Sequence, residues 1–227
     1  IGTNNGLSIL VKNGENYNIT NYTTKEGLPS NLITCLFVDS KGCLFIGTNN
    51  GLVVLDSNNK LIDITYILDD MEVTDKFIGS IYEDSKGNIL VGTSHGINIL
   101  DPKTDKSTHY TEKDGLINNT VYGILLDSNN GIWMSTNGGI SKLSLEDGTF
   151  MNFTISDGLQ SNEFNGRSSF KSKDGKLFFG GINGFNVFDP DSVELSLFKP
   201  QVIFDKFEVN CVTEKYISSK KLKSTDN

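Results

Sequence analysis

The chain has 227 residues, 37% hydrophobic and 21% charged, which is apolar material enough for a globular core and argues against disorder. A net charge of −8, with Arg167 the single arginine, disfavours nucleic acid as a partner, because phosphate binding needs clustered Lys and Arg. Three cysteines without C-x-x-C spacing and two histidines, His95 and His109, set aside a disulfide framework and an ordinary zinc site, and neither a metal nor a cofactor is expected.

In chain order, the first residues, Ile1-Gly-Thr-Asn-Asn-Gly6-Leu, carry neither the basic region nor the apolar run of a signal peptide. Nor does any later stretch approach the roughly 18 to 20 apolar residues of a membrane span. They match the tail of a segment that recurs from Asp39 to Leu52, Asp84 to Ile97, Asp127 to Ile140 and Ser172 to Phe185. Equivalent glycines, Gly6, Gly51, Gly96, Gly139 and Gly184, lie 45, 45, 43 and 45 residues apart. With 23 glycines and 4 prolines the chain turns often, which argues against long helices.

One period contains four runs with strand character, 32–38, 43–47, 52–55 and 61–67, separated by turn chemistry. The Asp-Ser-Lys-Gly turn joins the first two, its carboxylate suited to accept from the backbone two residues on. Asn-Gly, replaced by His95-Gly96 and Gly138-Gly139 in two copies, joins the second and third as a two-residue hairpin with an expected mirror-image turn. Second strands such as Leu44-Phe-Ile-Gly47 and Ile132-Trp-Met-Ser135 are apolar at successive positions, as burial on both faces requires. A four-stranded antiparallel meander repeated every 40 to 45 residues is a β-propeller blade, so the fold class is all-β. Five blades are expected over 1–26, 27–68, 69–113, 114–156 and 157–197, the first without its innermost strand.

The run Gly27-Leu-Pro-Ser-Asn31-Leu through Gly51-Leu resembles the two-component regulator propeller repeat of extracytoplasmic sensor regions in bacterial signalling receptors. Gly115-Leu-Ile-Asn-Asn119 and Gly158-Leu-Gln-Ser-Asn162 repeat its opening, which the copy before Asp84 has lost. Ser161-Asn-Glu-Phe-Asn165 with Phe178 through Pro190 is similar to the closing blade of such receptors. Pro200 to Asn210 is similar to the first strand of their immunoglobulin-like connector, here 198–227. The resemblance implies a fragment of a larger propeller and receptor, a homodimer in the whole molecule, and a histidine kinase or diguanylate cyclase output. It also implies an extracytoplasmic location and a membrane reached only through segments outside this sequence. An arc of five blades would leave sheet faces bare, so closure into a five-bladed ring or pairing between copies is expected.

Asparagines Asn31, Asn119 and Asn162 open the innermost strands near the axis, and with Glu163, Asn165 and Arg167 they form a candidate channel mouth for a small polar ligand such as an oligosaccharide. The alternative is that the asparagines cap turns. Arg167 would pair a ligand carboxylate or Glu163. The repeated Asp39, Asp84 and Asp127 read as turn residues before they read as catalytic carboxylates, and Trp133 reads as core. No enzyme is expected. The alternatives are a propeller glycosidase or lyase, whose acids would cluster at the channel mouth, and a scaffold that binds another protein.

Overall fold

A computed structural model describes residues 1–56, 58–65, 76–104 and 106–193, together with the backbone of 207–209 and 212–214. The chain divides into two compact units, Ile1–Val193 and Glu194–Asn227. Five antiparallel meanders make up the first unit. The first contains β1 (Gly2–Thr3), β2 (Gly6–Asn13) and β3 (Asn16–Tyr22). The second contains β4 (Ile33–Val38), β5 (Leu44–Thr48), β6 (Gly51–Leu55) and β7 (Leu61–Asp63). The third has β8 (Ile78–Glu83), β9 (Ile89–Thr93), β10 (Gly96–Asp101) and β11 (Lys106–Tyr110). The fourth has β12 (Val121–Leu126), β13 (Ile132–Thr136), β14 (Ile140–Leu143) and β15 (Phe150–Phe153). The fifth has β16 (Phe164–Lys171), β17 (Leu177–Gly181) and β18 (Gly184–Phe188). In the second unit, β19 (Phe207–Val209) pairs with β20 (Val212–Glu214). The remainder of the expected connector lies outside the described residues.

The predicted strands agree with this to within a residue or two, apart from the run 61–67. There β7 stops at Asp63, whose carboxylate accepts from the Thr65 amide at 2.8 Å and bends the chain, and residues 66–67 lie outside the described set. The first turn of each repeat is closed as its chemistry requires. Asp39 accepts from the amides of Lys41 and Cys43, Asp84 from those of Lys86 and Asn88, and Asp127 from those of Asn129 and Gly131, all at 2.7 to 3.0 Å. Asn130 holds the left-handed position, φ 61°, that glycine takes in the other copies, a conformation asparagine tolerates better than most residues.

The second turn corrects the expected mirror-image hairpin. That turn would have Asn50 and Gly51 at its centre, both at positive φ, yet Thr48 pairs with Gly51, the loop is Asn49-Asn50, neither of them among the positive-φ residues, and Gly51, at φ 134°, is the first residue of β6. The cause is the threonine that ends the preceding strand. Thr48 accepts from the Asn50 amide at 3.0 Å and donates to the Gly51 carbonyl at 2.9 Å, and Thr3, Thr93 and Thr136 repeat both bonds. In the fifth sheet Gly181 replaces the threonine, and Gln160 takes over by accepting from the Asn183 amide at 2.7 Å.

Burial on both faces of the second strands holds for β9 and β13, every residue of which is buried. The apolar residues gather into four clusters, one per junction between successive sheets. Leu7 joins Ile46 and Val53; Phe45 and Leu52 join Ile78 and Val91; Leu90 and Ile97 join Val121 and Met134; Trp133 and Ile140 join Phe164 and Phe179. Among the described residues no cluster joins the first sheet to the fifth, so these five sheets do not close into a ring. Instead, Leu10, Val11 and Ile19 at one end and Phe170, Phe185 and Val187 at the other remain exposed.

The innermost strands β4, β8, β12 and β16 stand side by side around a hub. Each slips register against its neighbour once: between Ile33 and Cys35, Ile78 and Ser80, Val121 and Gly123, and Phe164 and Ser169. Such bulges bend a strand and re-aim its side chains. The slip in β16 is the widest and carries Arg167 at φ 62°.

Candidate functional site

Innermost strands border an open cavity of about 450 Å³, lined among others by Thr34, Cys35, Ser80, Tyr122, Arg167 and Ser169. Arg167 spans it. From the fifth sheet its Nε donates to the Thr34 carbonyl at 2.6 Å, and an Nη donates to the Ile33 carbonyl at 2.8 Å, both on the second sheet. Those carbonyls sit at the bulge of β4, where an irregular backbone offers two successive acceptors to one planar fork. The guanidinium does not pair with Glu163, which is exposed on the surface and whose backbone carbonyl accepts from the Gln160 side chain and the Ile182 amide. Burial pushes the Cys35 thiol up to about 11, against the pull of the Thr34 hydroxyl and the Arg167 charge.

The three asparagines occupy a different place. Each side-chain oxygen accepts a backbone N–H at 2.8 Å from the segment that crosses between sheets: Asn31 from Thr24, Asn119 from Glu112 and Asn162 from Ile155. Two of those segments are 3-10 turns with full capping boxes, Thr111 with Asp114 and Thr154 with Asp157, and Thr23 with Glu26 repeats the pattern. The Thr111 amide and hydroxyl hold the Asp114 carboxyl below its ordinary range. Asn31, Asn119 and Asn162 thus fasten each crossover to the strand that follows it, and none lines the hub cavity. Asn165 and Glu163 are exposed beside the bulge of β16.

The signal that marks Arg167 is present in the sequence. From asparagine to the following turn residue there are 8 positions in two copies, Asn31 to Asp39 and Asn119 to Asp127, but 10 from Asn162 to Ser172. Those two additional residues widen the bulge that carries Arg167.

Several other reactive side chains are committed elsewhere. Asp127 accepts from the Trp133 indole at 3.0 Å and pairs with Lys142 at 2.9 Å. Burial opposes its ionisation, and the Lys142, Trp133 and Gly131 donors outweigh burial and lower its pKa. The turn aspartates lie one to a sheet, and each accepts from the backbone of its own turn. Trp133, 1% exposed, packs between Phe153 and Phe188 at 5.6 and 4.9 Å and is core. His109 Nε2 meets the His95 carbonyl at 2.9 Å, and His95 Nδ1 meets the Ser94 hydroxyl at 2.9 Å. Among the described residues no three His, Cys, Asp or Glu side chains gather as a metal site, and no helix is long and apolar enough to cross a membrane.

Four-stranded meanders packed face to face with their innermost strands around a common hub define a β-propeller domain. The family model of the two component regulator propeller matches residues 27–50, 72–95 and 115–138. The chain is similar to an extracellular domain assigned to the hybrid two component system BT3049 of B. thetaiotaomicron, with 27% identity and a TM-score of 0.79 over 90% of this chain. A second such domain, BT4673 of the same organism, shares the fold at 20% identity and a TM-score of 0.74 over 84% of the chain. Histidine kinase P4 of Formosa agariphila is 32% identical over 98 residues, 43% of the chain. The chain spans 28% of each of the two solved domains and 7% of the kinase.

Proposed function

We propose that this propeller is ligand-sensing structure of a two-component signalling receptor, exposed on the outer side of the cell membrane and acting on a histidine kinase or diguanylate cyclase output. The observation that carries the reading is the likeness to the BT3049 extracellular domain, which extends over 90% of the chain at 27% identity. The Formosa agariphila kinase points the same way for the output. In this reading residues 198–227 begin the connector, and the receptor works as a homodimer. A rigid propeller passes its signal by reorienting at an interface rather than by rearranging within a sheet.

The ligand is small and polar, an oligosaccharide being the leading class, and it lies on the face where the crossovers and the Asn-Gly hairpins meet. There Glu163 and Asn165 are exposed, whereas Asn31, Asn119 and Asn162, whose oxygens are engaged, have their amide N–H groups to offer. Binding without hydrolysis is favoured over a glycosidase by the commitment of the turn carboxylates to their own backbones. A thermal-shift screen against oligosaccharides tests the reading. At least one sugar should raise the melting temperature and release no new reducing ends; release of reducing ends, or no shift with any sugar, would overturn it.

A further inference from the structure

We propose that the hub cavity is a second binding site, independent of the crossover face, which takes a small hydroxylated carboxylate the size of a sugar acid, with Arg167 as its cation. Three features of the cavity converge on this. The first is an exposed cation with no protein counter-ion among the described residues. Two N–H groups of Arg167 are used on the neutral carbonyls of Ile33 and Thr34, and among the described residues no carboxylate forms an ion pair with it. A guanidinium carries five N–H donors, so an edge remains for a carboxylate, which it recognises through two parallel bonds. The bonds to β4 hold the fork in place, so little side-chain freedom is lost when an anion arrives.

The second feature is the set of strands that supply the lining, which brings Thr34, Ser80, Tyr122 and Ser169 from four different sheets around Arg167. The third is backbone strain at the cation itself. Arg167 lies at φ 62°, in the left-handed region that non-glycine residues seldom occupy, within an innermost strand rather than at a hairpin tip. Strain of this kind persists where the surroundings enforce a particular side-chain position, and here that position spans the cavity. A volume of about 450 Å³ is within the usual range for small-molecule sites, and Tyr122 and Ser169 add hydroxyls to the lining.

Calorimetric titration of the whole 227-residue chain with D-glucuronate tests the site, with glucose and inorganic phosphate as comparisons. Glucuronate should bind at least tenfold more tightly than either. Its affinity should fall at least tenfold in Arg167→Gln and several-fold in Tyr122→Phe, a change that leaves the Arg167 bonds to β4 in place. Glucuronate binding that is absent, or equal in wild type and Arg167→Gln, overturns the site, and phosphate binding as tightly as glucuronate overturns the ligand class. Should Arg167→Gln not melt cooperatively, Tyr122→Phe decides alone, and unchanged affinity there overturns the proposal. Since the oligosaccharide screen reads the crossover face, either reading can fail without the other.

Discussion

The fourth and fifth sheets are built on one strand pattern and end in opposite environments. Trp133 and Ile140 of the fourth are 1% and 0% exposed, and Leu125 on its innermost strand is 5% exposed. At the equivalent positions of the fifth, Phe185 and Phe170 are 64% and 63% exposed, and with Phe178 between them, at 6.2 and 6.1 Å, they form an aromatic ladder on a bare face. Beyond the bulges the first three strands pair in the same register in both sheets, so that pairing does not depend on the face being covered. Burial depends on whether another sheet packs against it, which no strand specifies for itself.

Substituting the two equivalent aromatics gives the widest separation. Trp133→Ala removes a fully packed ring from the junction between the fourth and fifth sheets and should cost about 3–5 kcal/mol, whereas Phe178→Ala should cost about 1 kcal/mol or less. Urea denaturation followed by circular dichroism measures both. Equal costs would mean that the outer face of the fifth sheet is covered in solution, and the contrast would disappear.

Hairpin glycines sharpen the contrast at the backbone. A Cβ on Gly96, φ 120°, would collide with the Tyr110 carbonyl of the outer strand, while one on Gly184, φ 117°, meets nothing within 4 Å. Gly96→Ala should therefore cost roughly 1–3 kcal/mol, and Gly184→Ala should fall at the lower end of that range, with conformational strain alone. Thermal melts of the two variants read the difference; identical melting temperatures would assign the whole effect to φ.

The smallest effect concerns acid. Asp127 has a lowered pKa, so its contribution is complete above the ordinary aspartate value of 3.8 and is lost as pH falls through that value toward the folded one. Asp127→Asn should cost about 1 kcal/mol at neutral pH and lose less stability than wild type between pH 5 and 3. Ser172 holds this turn in the fifth sheet and does not titrate in that range, so Ser172→Ala should leave the acid response unchanged. Parallel acid titrations followed by tryptophan fluorescence check both.

Much of the fold is legible from particular residues. The glycine interval, the Asp-Ser-Lys-Gly turns and the doubly apolar second strands are local features, and the strands follow from them. The hairpin type was obscured because the Thr48 hydroxyl, not the Asn-Gly pair, decides it. The position of Asn31, Asn119 and Asn162 before the innermost strands suggests the channel mouth, although the Thr-x-x-Asp or Thr-x-x-Glu pattern that begins eight residues earlier already indicates a capped crossover that needs an acceptor. Arg167 was legible as a lone cation near the axis but not as a tie to Ile33 and Thr34, which lie 134 and 133 positions away.

By itself the amino-acid order determined which residues turn, which extend and which alternate between faces, because those preferences act over a few bonds. Only the tertiary arrangement decided that Arg167 would cross the hub, that Ser80 would be sealed beside it, and that Trp133 would be buried while Phe185 stays bare. Each of these outcomes requires strands from different repeats to meet in space, and a periodic sequence presents the same surface to every neighbour until packing decides which of them has one.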